Sequence, residues 1–196
     1  MTSTTSRRAG ERAGLDRAAI VAAARASLDE EGARGLSMRA VAGRLGVAPN
    51  ALYSHIADKA ALVDAVLDDL IGEIPVPGET VEPRAGLTTL MSDSFDALVR
   101  HPDLVALSLA RQGSGGPQAW RLGDRMLQLL AQAGVPDRRA REGLRALVVH
   151  MMGCAAFATQ YDRSMGSPHH ELAAVRRDYL QALGWMLDGI VGDGRA

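Results

Sequence analysis

The chain has 196 residues, with 22 basic and 23 acidic side chains, a formal net charge of −1, and one cysteine, Cys154. Apolar residues make up 47% of it and aromatic residues only 4%, which suggests a core of Ala, Leu, Val and Met. Many Ala- and Leu-rich windows repeat with a period near 3.6 and few β-branched runs have period two, which predicts an all-α fold. No apolar run approaches the roughly twenty residues that cross a bilayer, the first residues lack an apolar signal core, and a single cysteine cannot form an intrachain disulfide. A cytoplasmic location is therefore expected.

The Arg7-Arg8 pair and Arg12 lie in an N-terminal segment rich in Ser, Thr and Gly. We expect a flexible basic arm, which would either enter a DNA minor groove or remain a solvated tail. Nine basic and six acidic residues precede residue 60. This modest positive excess favours contact with phosphates without predicting strong non-specific binding.

Residues 36–56 read as two short helices joined by a glycine turn, which is a helix-turn-helix. Ser37 is a typical N-cap for the first helix, and Val41 and Leu45 form its buried stripe at i and i+4. Gly46 is placed to end that helix in the left-handed conformation.

The second helix of this pair is expected to begin at Pro49, since proline is tolerated in a first helical turn. Leu52 and Ile56 repeat at i and i+4 and give it a core-facing stripe. The remaining positions carry short or polar side chains that could approach base edges and phosphates. Those positions are Asn50, Ala51, Tyr53, Ser54 and His55.

These residues, with their flanks, resemble the DNA-binding domain of the TetR (tetracycline repressor) family. The matching elements are Glu30-Glu31-Gly32, Leu36-Ser37-Met38-Arg39, Ala42-Gly43-Arg44-Leu45-Gly46-Val47, Leu52-Tyr53-Ser54-His55-Ile56, Lys59 and Leu62. The resemblance implies phosphate contacts by Ser37, Arg39, Tyr53, His55 and Lys59, and base-facing positions for Ala48, Pro49, Asn50, Ala51 and Ser54. The second helix departs from common readout in having no Arg or Lys for guanine. Taken singly, a Tyr or His on such a helix is more often a packing residue.

Helical periodicity continues after the helix-turn-helix, with breaks at proline and glycine. Helices are expected at residues 60–74, 84–100, 102–111, 117–133, 137–161 and 168–191, with a proline-rich linker at 73–84. Residues 1–59 would form the DNA-binding domain. Residues 60–196 would form a helical bundle for ligand binding and dimerisation.

The last two helices carry an excess of apolar surface, including Val148 and Leu183. The resemblance implies that they pair with those of a second subunit, giving a homodimer whose recognition helices lie about one DNA turn apart. The alternative is that these residues only fill the core of one subunit.

A cavity for a small-molecule effector is expected among the middle helices, where bulky apolar side chains mix with a few polar ones. The candidate lining residues are Phe95, His101, Ser108, Arg111, Trp120, Met126, Met151, Met152, Phe157 and Tyr161. Each of them is also typical of an ordinary core. The resemblance would place magnesium-drug histidines at about positions 108 and 75, where this chain has Ser108 and Pro75, so metal–tetracycline sensing is not expected.

No catalytic or cofactor motif is present: there is no glycine-rich phosphate loop, no zinc pair and no di-iron set. His169-His170-Glu171 is more typical of a solvated helix start than of a metal site. The sequence therefore favours a transcriptional repressor that a hydrophobic ligand releases from double-stranded operator DNA. The alternative is a small helical enzyme or binding module that uses the same fold without regulating DNA.

Overall fold

The protein is represented by a computed structural model that describes residues 15–111, 115–165 and 169–192, without the side chains of Leu104 and of residues 160–171. Several sequence predictions lie outside these described parts. They concern the N-terminal arm with Arg7, Arg8 and Arg12, and the side chains of Tyr161, His169, His170 and Glu171.

The described residues are helical and contain no strand, which confirms the all-α prediction. The α-helices are α1 (Arg17–Glu31), α2 (Met38–Arg44), α3 (Lys59–Gly72), α4 (Pro83–Arg100), α5 (Pro102–Ala110), α6 (Pro117–Gln132), α7 (Asp137–Met165) and α8 (His169–Val191). Two short 3-10 helices occupy Gly32–Arg34 and Pro49–Ser54. The chain divides into two compact units, Met1–Val66 and Leu67–Ala196. Within the described residues, no helix is long and apolar enough to span a membrane.

The N-terminal unit is built around α1 and α2. Asp16 caps α1 by accepting a 2.7 Å hydrogen bond from the N–H of Ala19. The fully buried side chains of this unit include those of Ile20, Leu36 and Val41. At Gly35 the backbone lies so close to α1 that a Cβ atom would be 2.1 Å from the carbonyl oxygen of Ser27. This contact requires glycine for steric reasons.

The turn between the two helices of the helix-turn-helix follows the sequence prediction. The Ser37 hydroxyl accepts a 3.1 Å hydrogen bond from the N–H of Ala40, so it caps α2. Gly46 has a φ of 65°. The N–H of Val47 donates to the carbonyl of Ala42 at 3.0 Å, which closes the left-handed glycine cap.

The recognition helix differs from the prediction, because Pro49–Ser54 is a six-residue 3-10 helix. The N–H groups of Ala51 and His55 bond to carbonyls three residues earlier. Such tight turns occur in short pieces, and this one has only a few residues between Pro49 and the turn at His55. Ile56 still bonds four residues back to Leu52, and both side chains are buried as predicted.

The C-terminal unit is a helical bundle whose core includes Leu87, Leu129, Leu147 and Leu183, each 0% exposed. The sequence predicts that Leu183 lies at a subunit interface. It instead lies inside the core of a single chain, where it packs with Leu147 and other buried residues.

Helix α6 holds the end of α3 and the segment that follows it. The Asp68 carboxylate of α3 accepts hydrogen bonds from the N–H groups of Gln118 (2.9 Å) and Ala119 (3.3 Å) at the start of α6. Arg121 donates to the carbonyls of Gly72 (3.3 Å) and Ile74 (3.2 Å). Each helix end thus receives a side chain of the charge that its dipole favours.

The linker after α3, residues 73–82, contains no helix, as its prolines predict. Arg125 of α6 is only 7% exposed and donates to the carbonyls of Pro77, at 3.0 Å, and Gly78. The buried guanidinium is therefore satisfied by linker carbonyls and by Gln128 (3.3 Å).

Candidate functional site

The residues expected to contact DNA form an accessible surface on the N-terminal unit. Most are exposed, and Ser37 and Ala51 are half-buried. The exposed members are Arg39, Ala48, Pro49, Asn50, Tyr53, Ser54, His55 and Lys59. We call this set, with Ser37 and Ala51, the recognition surface; its role in binding stays a prediction.

Two buried anchors hold this surface. Leu52 is 0% and Ile56 1% exposed, whereas Tyr53 between them is 52% exposed. The Ser54 hydroxyl donates a 2.8 Å hydrogen bond to the carbonyl of Ala51, which leaves its oxygen able to accept one. The segment is thereby fixed on one side and presents polar side chains on the other.

Arg44, at the end of α2, is held by an acidic partner. Its Nη1 and Nη2 atoms donate to the two carboxylate oxygens of Glu30 at 2.7 and 2.6 Å. The hydrogen bond with Arg44 lowers the pKa of Glu30. This bidentate pair joins the ends of α1 and α2, so Arg44 serves the fold of the unit.

A cavity of about 1030 Å³ lies within the C-terminal unit. Its walls come from the end of α3, the linker, and helices α4 to α7, and they are mostly aliphatic or thioether side chains. Val148 and Val149 of α7 are 38% and 70% exposed and border it, so the cavity meets solvent at α7. Ligand sites in proteins typically measure about 300–1,000 Å³.

Six of the ten predicted ligand residues line this cavity: His101, Ser108, Arg111, Met126, Met151 and Met152. Trp120 and Phe157 do not; their side chains are 65% and 59% exposed. Tyr161 lies outside the described side chains.

Phe95 is not part of the cavity wall either, because it belongs to an aromatic stack in the core. Its ring lies 4.5 Å from that of Tyr179, centroid to centroid, and His150 stacks on Tyr179 at 5.3 Å. The Tyr179 hydroxyl donates a 2.9 Å hydrogen bond to the carbonyl of Met91. Burial raises the pKa of Tyr179, so this phenol stays protonated and structural.

Sequence reasoning missed the contribution of α3 and the linker to the cavity. Leu67, Leu70, Ile71, Ile74 and Pro75 all line it. The sequence predicts a helix at residues 60–74 and a proline-rich linker at 73–84, without a role for either in the cavity wall. The available signal was the apolar stripe at the end of α3, which needs a neighbour to cover it.

The cavity wall carries two carboxylates one turn apart on α4, Asp93 and Asp96. Asp96 is paired with Arg176 of α8 through Nε–Oδ1 and Nη2–Oδ2 contacts of 2.7 Å each. The pKa of Arg176 is raised, first by the hydrogen bond with Asp96, and further by the negative charges of Asp96 and Asp93. One guanidinium thus faces two carboxylates.

The single thiol gives no sign of catalytic activation. The Cys154 sulfur lies 3.7 Å from His150 Nδ1, but burial raises the pKa of the thiol, which disfavours the reactive thiolate. Within the side chains that the structure describes, no group of three or more His, Cys, Asp or Glu residues is arranged to hold a metal ion.

Residues 20–66 match the family described as "Bacterial regulatory proteins, tetR family". An HTH-type transcriptional regulator of Saccharopolyspora erythraea is 35% identical over 59% of this chain and 49% of its own length. The HTH-type transcriptional repressor DrrR1 of Streptomyces coeruleorubidus is 30% identical over 72% of this chain and 52% of its own length. The chain therefore spans about half the length of these two curated relatives.

Solved structures match over most of the chain. BioQ of Mycobacterium smegmatis is 26% identical, with a TM-score of 0.78, over 92% of this chain and 100% of that one. A structure of BioQ with its double-stranded DNA operator has a TM-score of 0.74 at 26% identity, over 91% and 99% of the two chains. ActR of Streptomyces coelicolor in complex with actinorhodin is 25% identical, with a TM-score of 0.76, over 93% and 99%.

Proposed function

The chain belongs to the tetR family of bacterial regulatory proteins, and on that premise we propose that it is a sequence-specific transcriptional repressor released from operator DNA by an apolar small molecule. The proposed partners are double-stranded DNA, the effector and a second copy of the chain. No enzymatic step is part of the proposal. The proposed place of action is the cytoplasm, where a bacterial regulator meets its operator.

The observation that carries the DNA-binding part is the recognition surface. Buried Leu52 and Ile56 hold a segment whose other side exposes Asn50, Tyr53 and Ser54. In helix-turn-helix proteins, this position is the one that enters the major groove. The BioQ structure with its operator DNA supports the same use of this fold.

The ligand part of the proposal is supported by the cavity in the C-terminal unit. A space of about 1030 Å³ with mainly aliphatic walls suits an apolar molecule. Met91, Met126, Met151 and Met152 contribute flexible thioethers to its wall, and such side chains adapt to irregular ligands. ActR in complex with actinorhodin is a relative in which a fold of this kind holds a small molecule.

We propose that dimerisation uses the outer face of α7 and α8. Among the described residues, four of the six large hydrophobic side chains that are exposed lie on these helices: Val148, Val149, Phe157 and Trp185. Large hydrophobic side chains that are exposed on the last two helices of one subunit would be removed from water in a subunit interface. A two-fold dimer would also present two recognition surfaces to a pseudo-palindromic operator.

Selection of binding sites from a random duplex library, followed by fluorescence anisotropy on the selected duplex, tests the DNA-binding proposal. Affinity should fall steeply between about 50 mM and about 200 mM salt, since phosphate contacts release counterions. Lys59→Ala and Tyr53→Ala should weaken binding to all duplexes alike. Arg138→Ala removes the same charge as Lys59→Ala from a 91% exposed side chain on α7 and should bind normally.

Asn50→Ala should instead change the selected consensus. An amide can bond base edges, so its loss should relax preference at about one base pair per half-site, by roughly 1–3 kcal/mol. A library that yields no consensus for the wild-type chain would refute specific DNA binding and favour a ligand-binding module or enzyme of the same fold.

A further inference from the structure

We propose that the effector is a lipophilic cation whose positive charge is received by Asp93 in the cavity of the C-terminal unit. This inference rests on the proposed ligand-responsive function and specifies the ligand's chemistry. Six ionisable side chains line the cavity: Glu73, Asp93, Asp96, Arg100, His101 and Arg111. These side chains differ in whether a protein partner already neutralises their charge.

Four of the six already interact with other parts of the protein. Asp96 is bound by Arg176 through two 2.7 Å contacts. Glu73, His101 and Arg111 also take part in polar or electrostatic contacts of their own. A ligand that recruited Asp96 would first have to displace Arg176, at the cost of leaving that guanidinium unpaired.

Asp93 and Arg100 remain, and their surroundings differ. Arg100 is exposed at the last turn of α4, where water hydrates its charge. Asp93 is half-buried between Met91 and Ser94 and forms no hydrogen bond or ion pair with any side chain in the described parts of the chain. A carboxylate in such a position keeps an incompletely satisfied charge.

The local charge count supports the same conclusion. Arg176 is the guanidinium that faces the α4 acid pair, and its two bonds to that pair go to Asp96. Arg176 Nη2 also donates to Ser92 Oγ at 3.2 Å. One positive charge beside two negative ones leaves a local negative excess at this acid pair, and a cation bound beside Asp93 would balance it.

The apolar part of the ligand is specified by the rest of the wall. Leu90 and Met91 lie beside the acid pair on α4, and Leu122, Met126 and Met151 come from α6 and α7. No Phe, Tyr or Trp side chain is part of this wall among the described residues. Charge and shape, rather than ring stacking, would therefore select the ligand.

Tetraphenylphosphonium and tetraphenylborate form the test pair, because they have nearly the same size and shape but opposite permanent charge. Calorimetry of the full chain should show tetraphenylphosphonium binding at least about tenfold more tightly than tetraphenylborate. Asp93→Asn should reduce tetraphenylphosphonium affinity by about tenfold and remove the preference. Asp124→Asn, an equal charge change at an exposed α6 position outside the cavity wall, should leave it intact.

Equal affinity for the two ions, tighter binding of the borate, or no binding of either would overturn the inference. An unchanged preference in a folded Asp93→Asn variant would overturn it too, and the wild-type comparison decides the question if that variant does not fold. Anisotropy on the selected DNA, without either ion, separates this result from the proposed function. A chain that binds no DNA yet prefers the phosphonium would refute only the repressor proposal.

Discussion

Gly35 shows how one residue sets the packing of the N-terminal unit. Its φ is −65°, so an alanine could adopt the backbone conformation, but the added Cβ would lie 2.1 Å from the Ser27 carbonyl oxygen. The requirement is therefore for space against α1. This distinguishes it from Gly46, whose φ of 65° requires glycine for conformational reasons.

Gly35→Ala should lower the free energy of unfolding by about 1–3 kcal/mol, because the chain must move away from α1 to accept the methyl group. Gly43→Ala is the matched control, since a Cβ there meets nothing within 4 Å. Because Gly43 lies within helix α2, Gly43→Ala should raise the free energy of unfolding by roughly 0.5–1 kcal/mol. Urea denaturation of both variants measures this. Two variants of equal stability would contradict the steric argument.

Glu82 gives the start of α4 a dependence on pH. Its carboxylate accepts from the N–H of Arg84 at 2.9 Å and of Ala85 at 2.7 Å. These bonds lower its pKa in the folded chain. Its stabilisation is therefore complete above the unfolded pKa and is lost as the pH falls through the folded pKa.

Glu82→Gln should lower the urea midpoint at pH 7 and have a smaller effect at a pH below the folded pKa of Glu82, where the wild-type carboxyl is also protonated. Glu79→Gln removes the same charge from an exposed linker residue and provides the comparison. Denaturation curves at both pH values would show the difference. An equal loss at both pH values would point to packing rather than charge.

At the scale of the elements, α6 connects the cavity to the end of α3. Leu122, Gly123 and Met126 line the cavity, while Arg121 and Arg125 hold carbonyls of α3 and the linker. The two sets lie on different sides of the same helix. A shift of α6 caused by a ligand would therefore strain these hydrogen bonds, which is a physical route for coupling.

Arg125→Met should destabilise the C-terminal unit by roughly 1–3 kcal/mol, because the carbonyls of Pro77 and Gly78 lose their buried donor. Arg121→Met removes comparable bonds from a more exposed side chain and should cost less than about 1 kcal/mol. Thermal unfolding followed by circular dichroism compares them. Protease should also cleave the linker faster in Arg125→Met than in Arg121→Met, because Arg125 holds the linker carbonyls. Equal losses would mean that burial of Arg125 is unimportant.

Helix boundaries could be predicted well because proline, glycine and capping residues mark them locally. Pro83, Pro102 and Pro117 each begin a helix, and Ser37 caps α2 as expected. The 3-10 form of Pro49–Ser54 could not be predicted, since hydrophobic spacing at i and i+4 does not distinguish it from a short α-helix. Cavity membership was also only partly predictable, because periodicity does not reveal which neighbour a buried stripe faces. Phe95 and Met91 lie one turn apart on α4, yet only Met91 lines the cavity.

At the scale of the whole molecule, the two exposed tryptophans allow a test of the proposed dimer surface. Trp185 on α8 is 66% exposed and Trp120 on α6 is 65% exposed. They offer nearly equal apolar area, but only Trp185 lies on the proposed dimer surface. Leu183 is unsuitable for this purpose, because a charge in the subunit core would unfold the chain before it reported on assembly.

Trp185→Glu should yield monomers in sedimentation velocity, since an unpaired charge in a buried interface costs several kcal/mol. Trp120→Glu should remain dimeric. The far-ultraviolet circular dichroism of both variants should match that of the wild type. A dimeric Trp185→Glu variant would place the interface elsewhere on the molecule.

The 3-10 geometry of Pro49–Ser54 affects how fast the backbone amides of this segment exchange with solvent. Short i→i+3 segments are held by poorer hydrogen bonds than an α-helix, and exposed segments of this kind open locally well below the cost of global unfolding. The amides from Asn50 to Ser54 should therefore exchange with deuterium much faster than those of α7, and slow down only when DNA orders the segment. The exchange rate of these few amides would therefore report how long the protein stays bound to the operator, and it could be measured without labelling the DNA.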